Sequence, residues 1–438
     1  MSAVGVLRLS YLAWIYVALL FGANLYFSQN SNLDDPVVSL EIPFVKDTFW
    51  VLIVLTCYYV GRRIPLQRTV LLESGLVAAF CVVAATEVYL LSGSLDVSYL
   101  KVFKNSFLYL VLAFPFVNII LRSGLDESFI RHLHGAMLFS LVVSLLFYFY
   151  HPVQSHTGRL FGTYGNPNTA GFIVVYAVAL YFMLARKERT WLRGALTALI
   201  GVVALFLTAS FSAIGALIAL PPMIWIFSRS RHGNPVLLKA AFSLLLLVAV
   251  AGVLWTLPFL PDLLESTALE SRIAALATQG MEHETVATRV DALLQVIDGD
   301  CGRLYPILFG CAPEVYVRLD STITAFGYHF GVFGLAVLAL LAGIPYWRYF
   351  STPPVLLMSR DAARIPATIA LLTTIVVFNF PIQHAFETFP MNFLFAAAMS
   401  ILLFDLGRVR AHASTPVSRP LGESSDLALT RDGAGDLL

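Results

Sequence analysis

The sequence predicts an all-α integral membrane protein of about twelve transmembrane helices. Three observations predict it. The first is composition: 58% of the 438 residues are hydrophobic and 13% charged, with a mean hydropathy of +0.79. A water-soluble core has no use for that much apolar surface. The second is continuity. The apolar residues come in runs of roughly 17–25, the length that crosses a bilayer, and not as the short alternating strands of an outer-membrane barrel. Backbone polar groups in lipid must be satisfied within the segment, so these runs are helices. The third is the placement of charge between the runs.

Twelve spans are read in order, near 9–28, 47–61, 69–92, 105–121, 132–150, 168–185, 193–209, 211–228, 238–257, 322–345, 364–381 and 389–406. The first, LSYLAWIYVALLFGA after Arg8, imitates a signal peptide. It continues to about Phe27 without an A-x-A cleavage pattern, so it is read as an uncleaved span. A cytoplasmic N-terminus puts GRRIPLQR (61–68), ARKERTWLR (185–193), SRSRHGNPVLLK (228–239) and the tail with Arg408 and Arg410 on one side. Of the 28 Lys and Arg, 20 then lie inside and 8 outside. That is the positive-inside asymmetry, and it places both termini in the cytoplasm. The net charge of +1 gives no reason to expect a nucleic-acid partner; the lipid bilayer is the partner that composition implies.

The seventh and eighth spans are joined by almost nothing, around TASFS (208–212), and should form a tight hairpin. No internal repeat is evident. The chain divides into spans one to nine (1–257), a large outer loop (258–321), spans ten to twelve (322–406) and a tail (407–438). The tail is rich in Ser, Asp, Gly and Pro and is expected to be disordered. The outer loop is far longer than an ordinary connection. It holds ten acidic residues against four Arg, at 272, 289, 303 and 318, and no Lys. Within it, TVATRVDALLQVI (285–297) spaces its apolar residues as an amphipathic helix lying against the membrane or the bundle. Cys57 and Cys81 fall in spans. Cys301 and Cys311 fall in the outer loop and are either a disulfide or two free thiols.

The most unusual short stretch is RLFGTYGNPNTAGF (159–172), a polar, turn-prone segment where the sixth span enters from outside. Asn166-Pro167 reads as an N-cap followed by a proline at the first helical position, and Gly162 and Gly165 suit a tight turn. The bland reading is a well-capped helix start. The same geometry also points free N–H groups and the positive end of a helix dipole outward beside Arg159, which makes an anion site.

This segment resembles the one that O-antigen polymerases (Wzy type) and O-antigen ligases (WaaL type) carry before a central span. In that superfamily an Arg, then Gly, then G-N-P-N is common. The second half is similar too: Arg289, an amphipathic helix, ILFGCAPE (307–314), Asp320-Ser321, then a span opening TITAFGYHFGVFGL. The resemblance covers about 130–350. It implies a GT-C-like bundle and a metal-independent glycosyltransferase without cofactors, acting at the periplasmic face in lipopolysaccharide or exopolysaccharide synthesis. Its substrate would be an undecaprenyl-pyrophosphate-linked oligosaccharide, and a chain-length regulator is an implied partner.

In such a reaction the leaving pyrophosphate gains charge that arginine forks and a helix N-terminus stabilise, and the attacking hydroxyl needs a base. The resemblance assigns the clamp to Arg159 and Arg289, with Arg272, Arg318, Gly165, Asn166 and Asn168 in binding roles. Asp320 is either the base or the N-cap of the tenth span. His329, deeper in that span, is expected to pack in the bundle. One departure stands out: relatives carry Ser-Arg in the hairpin where this chain has Ser210-Phe211-Ser212.

Metal use is not expected. Asp34-Asp35 read as turn residues before Pro36, and His132 and His134 lie on the cytoplasmic side without partners. Glu87 is a carboxylate within a span and is expected to face inward. A polymerase of lipid-linked repeat units is the first reading, since Asp320-Ser321 stands where ligases favour His-Asn. A ligase transferring polysaccharide to lipid A-core or protein is the second. A lipid-linked sugar flippase is the reading from another class, weakened by the lack of repeat halves.

Overall fold

A computed structural model describes residues 10–12, 14–15, 43–93, 99, 103, 108–150, 159–160, 167–229, 291–292, 294–298, 306–311, 319, 321–359, 362–381 and 391–414. Its long helices are α1 (Pro43–Gly61), α2 (Arg68–Ser92), α3 (Tyr109–Ile120), α4 (Asp126–Tyr150), α5 (Pro167–Met183), α6 (Trp191–Thr208), α7 (Phe211–Arg229), α8 (Thr322–Phe350), α9 (Ile365–Thr374) and α10 (Met391–Ser414). A π-helical turn at Leu121–Leu125 follows α3, and another at Ile375–Asn379 extends α9. No strand occurs among the described residues, a single bridge at Leu160 aside. Six segments are long and apolar enough to cross a membrane: Arg68–Leu90, Leu110–Leu146, Trp191–Thr208, Phe211–Ser228, Thr322–Phe350 and Met391–Ala411. The protein is thus a helical membrane protein. The expected ninth span (238–257), nearly all of the outer loop and the residues after 414 lie outside the described residues.

The bundle is organised around α10. In its apolar window 83% of residues are buried, against 28–44% in the other spanning segments. It lies along α3 and α9 and touches α8 and α2, while α9 in turn packs on α7 and α5. The outward faces remain apolar: Leu52, Leu55 and Tyr59 on α1, Val82, Val83 and Leu90 on α2, Leu199 and Val202 on α6, and Leu340 on α8 are all exposed. Apolar faces that broad on an otherwise packed molecule are lipid-facing.

Lipid supplies no hydrophobic drive between helices, so polar contacts and close packing join them. Asn118, fully buried in α3, exchanges two hydrogen bonds with Gln67: it accepts from the Gln67 backbone N–H at 3.1 Å and donates to the Gln67 side-chain oxygen at 3.1 Å. Gln67 also donates to the Leu403 carbonyl at 3.0 Å, reaching α10. A second knot is ionic. Arg364, just before α9, donates to Asp126 at 2.6 Å and to both oxygens of Asp405 at 2.7 and 3.2 Å. Arg364→Lys keeps the charge and loses the fork. It is expected to cost about 1.5–3 kcal/mol, the value of a hydrogen bond to a charged group. The thermal midpoint of the detergent-purified variant would read this, and an unchanged midpoint would count against the knot.

Three boundaries differ from the sequence reading. The expected connection at 122–131 is only a kink: Gly124 takes φ 82° and α4 restarts at Asp126. Asp126 and Glu127 favour the first turn of α4 through the helix dipole. The last helix runs to Ser414 rather than 406, so Arg408 and Arg410 sit on α10 and not on a disordered tail. Arg410 explains part of this, because it donates to Arg348 O, Ser351 and Thr352 at the end of α8. Finally, α8 is not one straight span. Gly331 has φ 56°, ψ −147°, and the short turn Pro306–Phe309 crosses it there.

That crossing unites two motifs noted separately in the sequence. A Cβ on Gly331 would stand 2.6 Å from Gly310 N and Leu308 C, and one on Gly310 would stand 2.5 Å from His329 C and Phe330 N. Backbone meets backbone, fastened by the Cys311 N–H donating to Tyr328 O at 2.7 Å. Cys311 is disulfide-bonded, as one of its two readings expects, and Cys57 and Cys81 are free; Cys301 lies outside the described residues. Of the expected amphipathic helix, residues 291–292 and 294–298 are helical. Ala292 packs with Leu319 and Ala325 beside the start of α8, and Val296 is buried while Leu294 and Ile297 are exposed.

Candidate functional site

The polar segment and the hairpin that the sequence sets 49 residues apart meet in space. The Leu160 N–H donates to Leu207 O at 2.8 Å, laying residues 159–160 along the end of α6. From there the Arg159 side chain turns onto the hairpin. Its Nε donates to Thr208 O at 2.7 Å, and its Nη2 donates to Ala209 O and to Asn168 Oδ1, both at 3.3 Å. Asn168 Oδ1 also accepts from Ser210 Oγ at 3.0 Å, and Ser210 and Ser212 hydroxyls are 3.3 Å apart.

Sequence explains why this fits. The α6–α7 hairpin turns through Ala209 at φ 46°, a left-handed conformation that costs a non-glycine residue about 1–2 kcal/mol. Its carbonyls are the last of α6 and have no helical partner. A guanidinium satisfies them and favours the negative end of the helix dipole. On the other side, Gly171 lets α5 close in: a Cβ there would stand 2.7 Å from Ala213 Cβ and 3.0 Å from Ser210 Cβ. The first turns of α5 and α7 therefore touch, each with N–H groups unused by its own helix. Arg159 lies beside both. A buried arginine, two helix N-termini and the last carbonyls of α6 therefore meet at one place.

Arg159 is 6% exposed. The sequence reading makes Arg159 part of a substrate clamp; in the structure its guanidinium donates to the hairpin carbonyls and to Asn168. It also brings to Ser210-Phe211-Ser212 the positive charge that this hairpin lacks in its own sequence. Asn168 joins the cluster. Gly165, Asn166, Arg272, Arg289, Arg318 and Asp320 lie outside the described residues. The N-cap of α8 is Ser321, which accepts from Thr324 N at 3.2 Å. The capping role weighed for Asp320 therefore belongs to its neighbour.

His329 is fully buried as expected, with Tyr99 OH 3.4 Å from its Nδ1. His132 and His134 each meet a hydroxyl: Ser128 Oγ lies 3.4 Å from His132 Nδ1, and Thr197 Oγ1 lies 3.2 Å from His134 Nε2. Among the described residues, no three His, Cys, Asp or Glu side chains gather as metal ligands.

One residue the sequence reading passed over is Glu73. It is fully buried on α2, one face with the half-buried Glu87, and none of the four carboxylate oxygens meets a hydrogen-bond donor among the described residues. The signal was available, because an acidic residue within an apolar run marks a functional position more often than a lipid-facing one.

The sequence matches no family model and no curated protein.

Proposed function

We propose that this protein is a polysaccharide polymerase of the inner membrane. It transfers a glycan from undecaprenyl pyrophosphate to a hydroxyl of a lipid-linked repeat unit at the periplasmic face. The observation that carries this reading is the meeting of the first turns of α5 and α7 over the buried Arg159. A pyrophosphate leaving group develops negative charge in the transition state, and helix N-termini beside a fixed cation, in a site with little water, stabilise such charge strongly. Arg289 completes the clamp and Asp320 takes the hydroxyl proton. The proposed base, Asp320, directly precedes Ser321, the N-cap of α8.

Twelve spans with both termini in the cytoplasm fit the distribution of charge. Arg62, Arg63, Arg68, Arg122, Arg131, Arg193, Arg348, Arg364 and Arg410 gather at one end of the helices, linked through contacts such as Arg131–Glu188 and Arg364–Asp126. Arg159 lies at the other. The disulfide at Cys311 also belongs to the Arg159 end, which suits an oxidising compartment.

The test is a surface-polysaccharide gel of a strain lacking the gene, with the lipid-linked pool extracted alongside. Loss of the long ladder, with single units still transferred, is the expected result. Full-length chains accumulating on undecaprenyl pyrophosphate would make the protein a ligase instead.

A further inference from the structure

At the end of the bundle away from Arg159, the start of α2 and the ends of α8 and α10 enclose a pocket of about 210 Å³. Three arginines line it, Arg68, Arg348 and Arg410, one from each helix, and no carboxylate among the described residues does. Arg410 spends its donors on the end of α8. Arg348 does not: its Nε is buried without an acceptor, and its guanidinium lies 5.0 Å from the centre of the Trp347 ring. The wall also includes Thr69 in the first turn of α2, whose N-cap Gln67 gives no side-chain cap. The N–H groups of that turn have no acceptor within the helix. Three like charges around one small cavity repel each other, and an anion with several oxygens relieves the repulsion while using the donors.

The surroundings say which anion. Trp347 and Phe350 at the end of α8, Val355 just beyond it, and Leu72 on α2 are all more than half exposed. A soluble ion has no need of an apolar rim, whereas acyl chains do. Tryptophan beside cations at the end of a membrane helix is the pattern of the headgroup level, and basic pockets between helix ends on the cytoplasmic side suit anionic headgroups.

We propose that this pocket binds the phosphate of an anionic phospholipid, whose acyl chains lie over Trp347, Phe350 and Val355, so that one lipid ties α2, α8 and α10 together. The proposal does not depend on the glycosyl-transfer reading.

The full-length protein, purified in a non-ionic detergent, is titrated with phosphatidylglycerol, phosphatidylcholine or inorganic phosphate while its thermal midpoint is followed. Phosphatidylglycerol is expected to raise the midpoint, and the other two are not. Arg68→Gln combined with Arg348→Gln should not lower the lipid-free midpoint, since neither side chain donates a described hydrogen bond and the loss of two charges lessens the repulsion. It should weaken the phosphatidylglycerol response about fivefold per arginine removed. If the double variant does not fold, the exposed Arg68→Gln alone gives the fivefold test. An equal shift with phosphatidylcholine, or an unaltered response in the variant, overturns the proposal. A full shift with inorganic phosphate alone shows a site for a soluble phosphate, and the lipid assignment falls.

Discussion

Arg159→Ala is expected to abolish long-chain polysaccharide and to lower the stability of the protein at the same time. The alanine leaves Thr208 O and Ala209 O without their donor in the buried turn, at about 1–3 kcal/mol for each unsatisfied group. That loss alone would not reveal chemistry. Arg159→Gln separates the two effects, because the amide still donates to the turn but carries no charge. Its midpoint should fall by less than that of the alanine variant. Its polysaccharide output should fall about 100-fold or more, the scale on which a single transition-state donor matters. A folded Arg159→Gln protein with normal output would reduce Arg159 to a helix cap and remove the observation on which the proposed function stands.

Gly331→Ala is expected to leave little folded protein. The position is closed twice over. Its φ of 56° with ψ of −147° lies where side chains are strained by about 1–3 kcal/mol, and the added carbon would meet main-chain atoms at 2.6–2.7 Å, which cannot swing aside. Gly124→Ala is the control. It also has positive φ, at 82°, but nothing lies within 4 Å of its added Cβ, so only the strain of about 1–2 kcal/mol applies. Yield and midpoint in detergent compare the two, and equal behaviour would mean that the turn at 306–309 does not hold α8 as described.

Much of the helical layout was legible because the bilayer imposes it. Runs such as 69–92 and 211–228 match α2 and α7 within a residue, since length and apolarity decide both. The α6–α7 hairpin was legible from the mere shortness of TASFS. What escaped was everything fixed at long range. Residues 322–345 read as one uninterrupted span until a second segment is laid across them. Arg364 and Asp126 are 238 residues apart, and nothing local to either predicts the other. The candidate site was legible in halves: the polar stretch with Arg159 and the hairpin without an arginine were both visible, but only packing shows that one supplies the other.

The position of α10 has a consequence for how the molecule is made. The helix at the centre of the bundle is the last of the described helices to leave the ribosome, yet α3 and α9 both pack on it, and Arg364 waits for its Asp405. Without α10 the earlier helices lack their axis, and both the Asp405 partner of Arg364 and the Leu403 partner of Gln67 are missing. Closure of the bundle around its axis therefore waits for α10, and a chain cut short before that helix lacks the partners of α3, α9, Gln67 and Arg364.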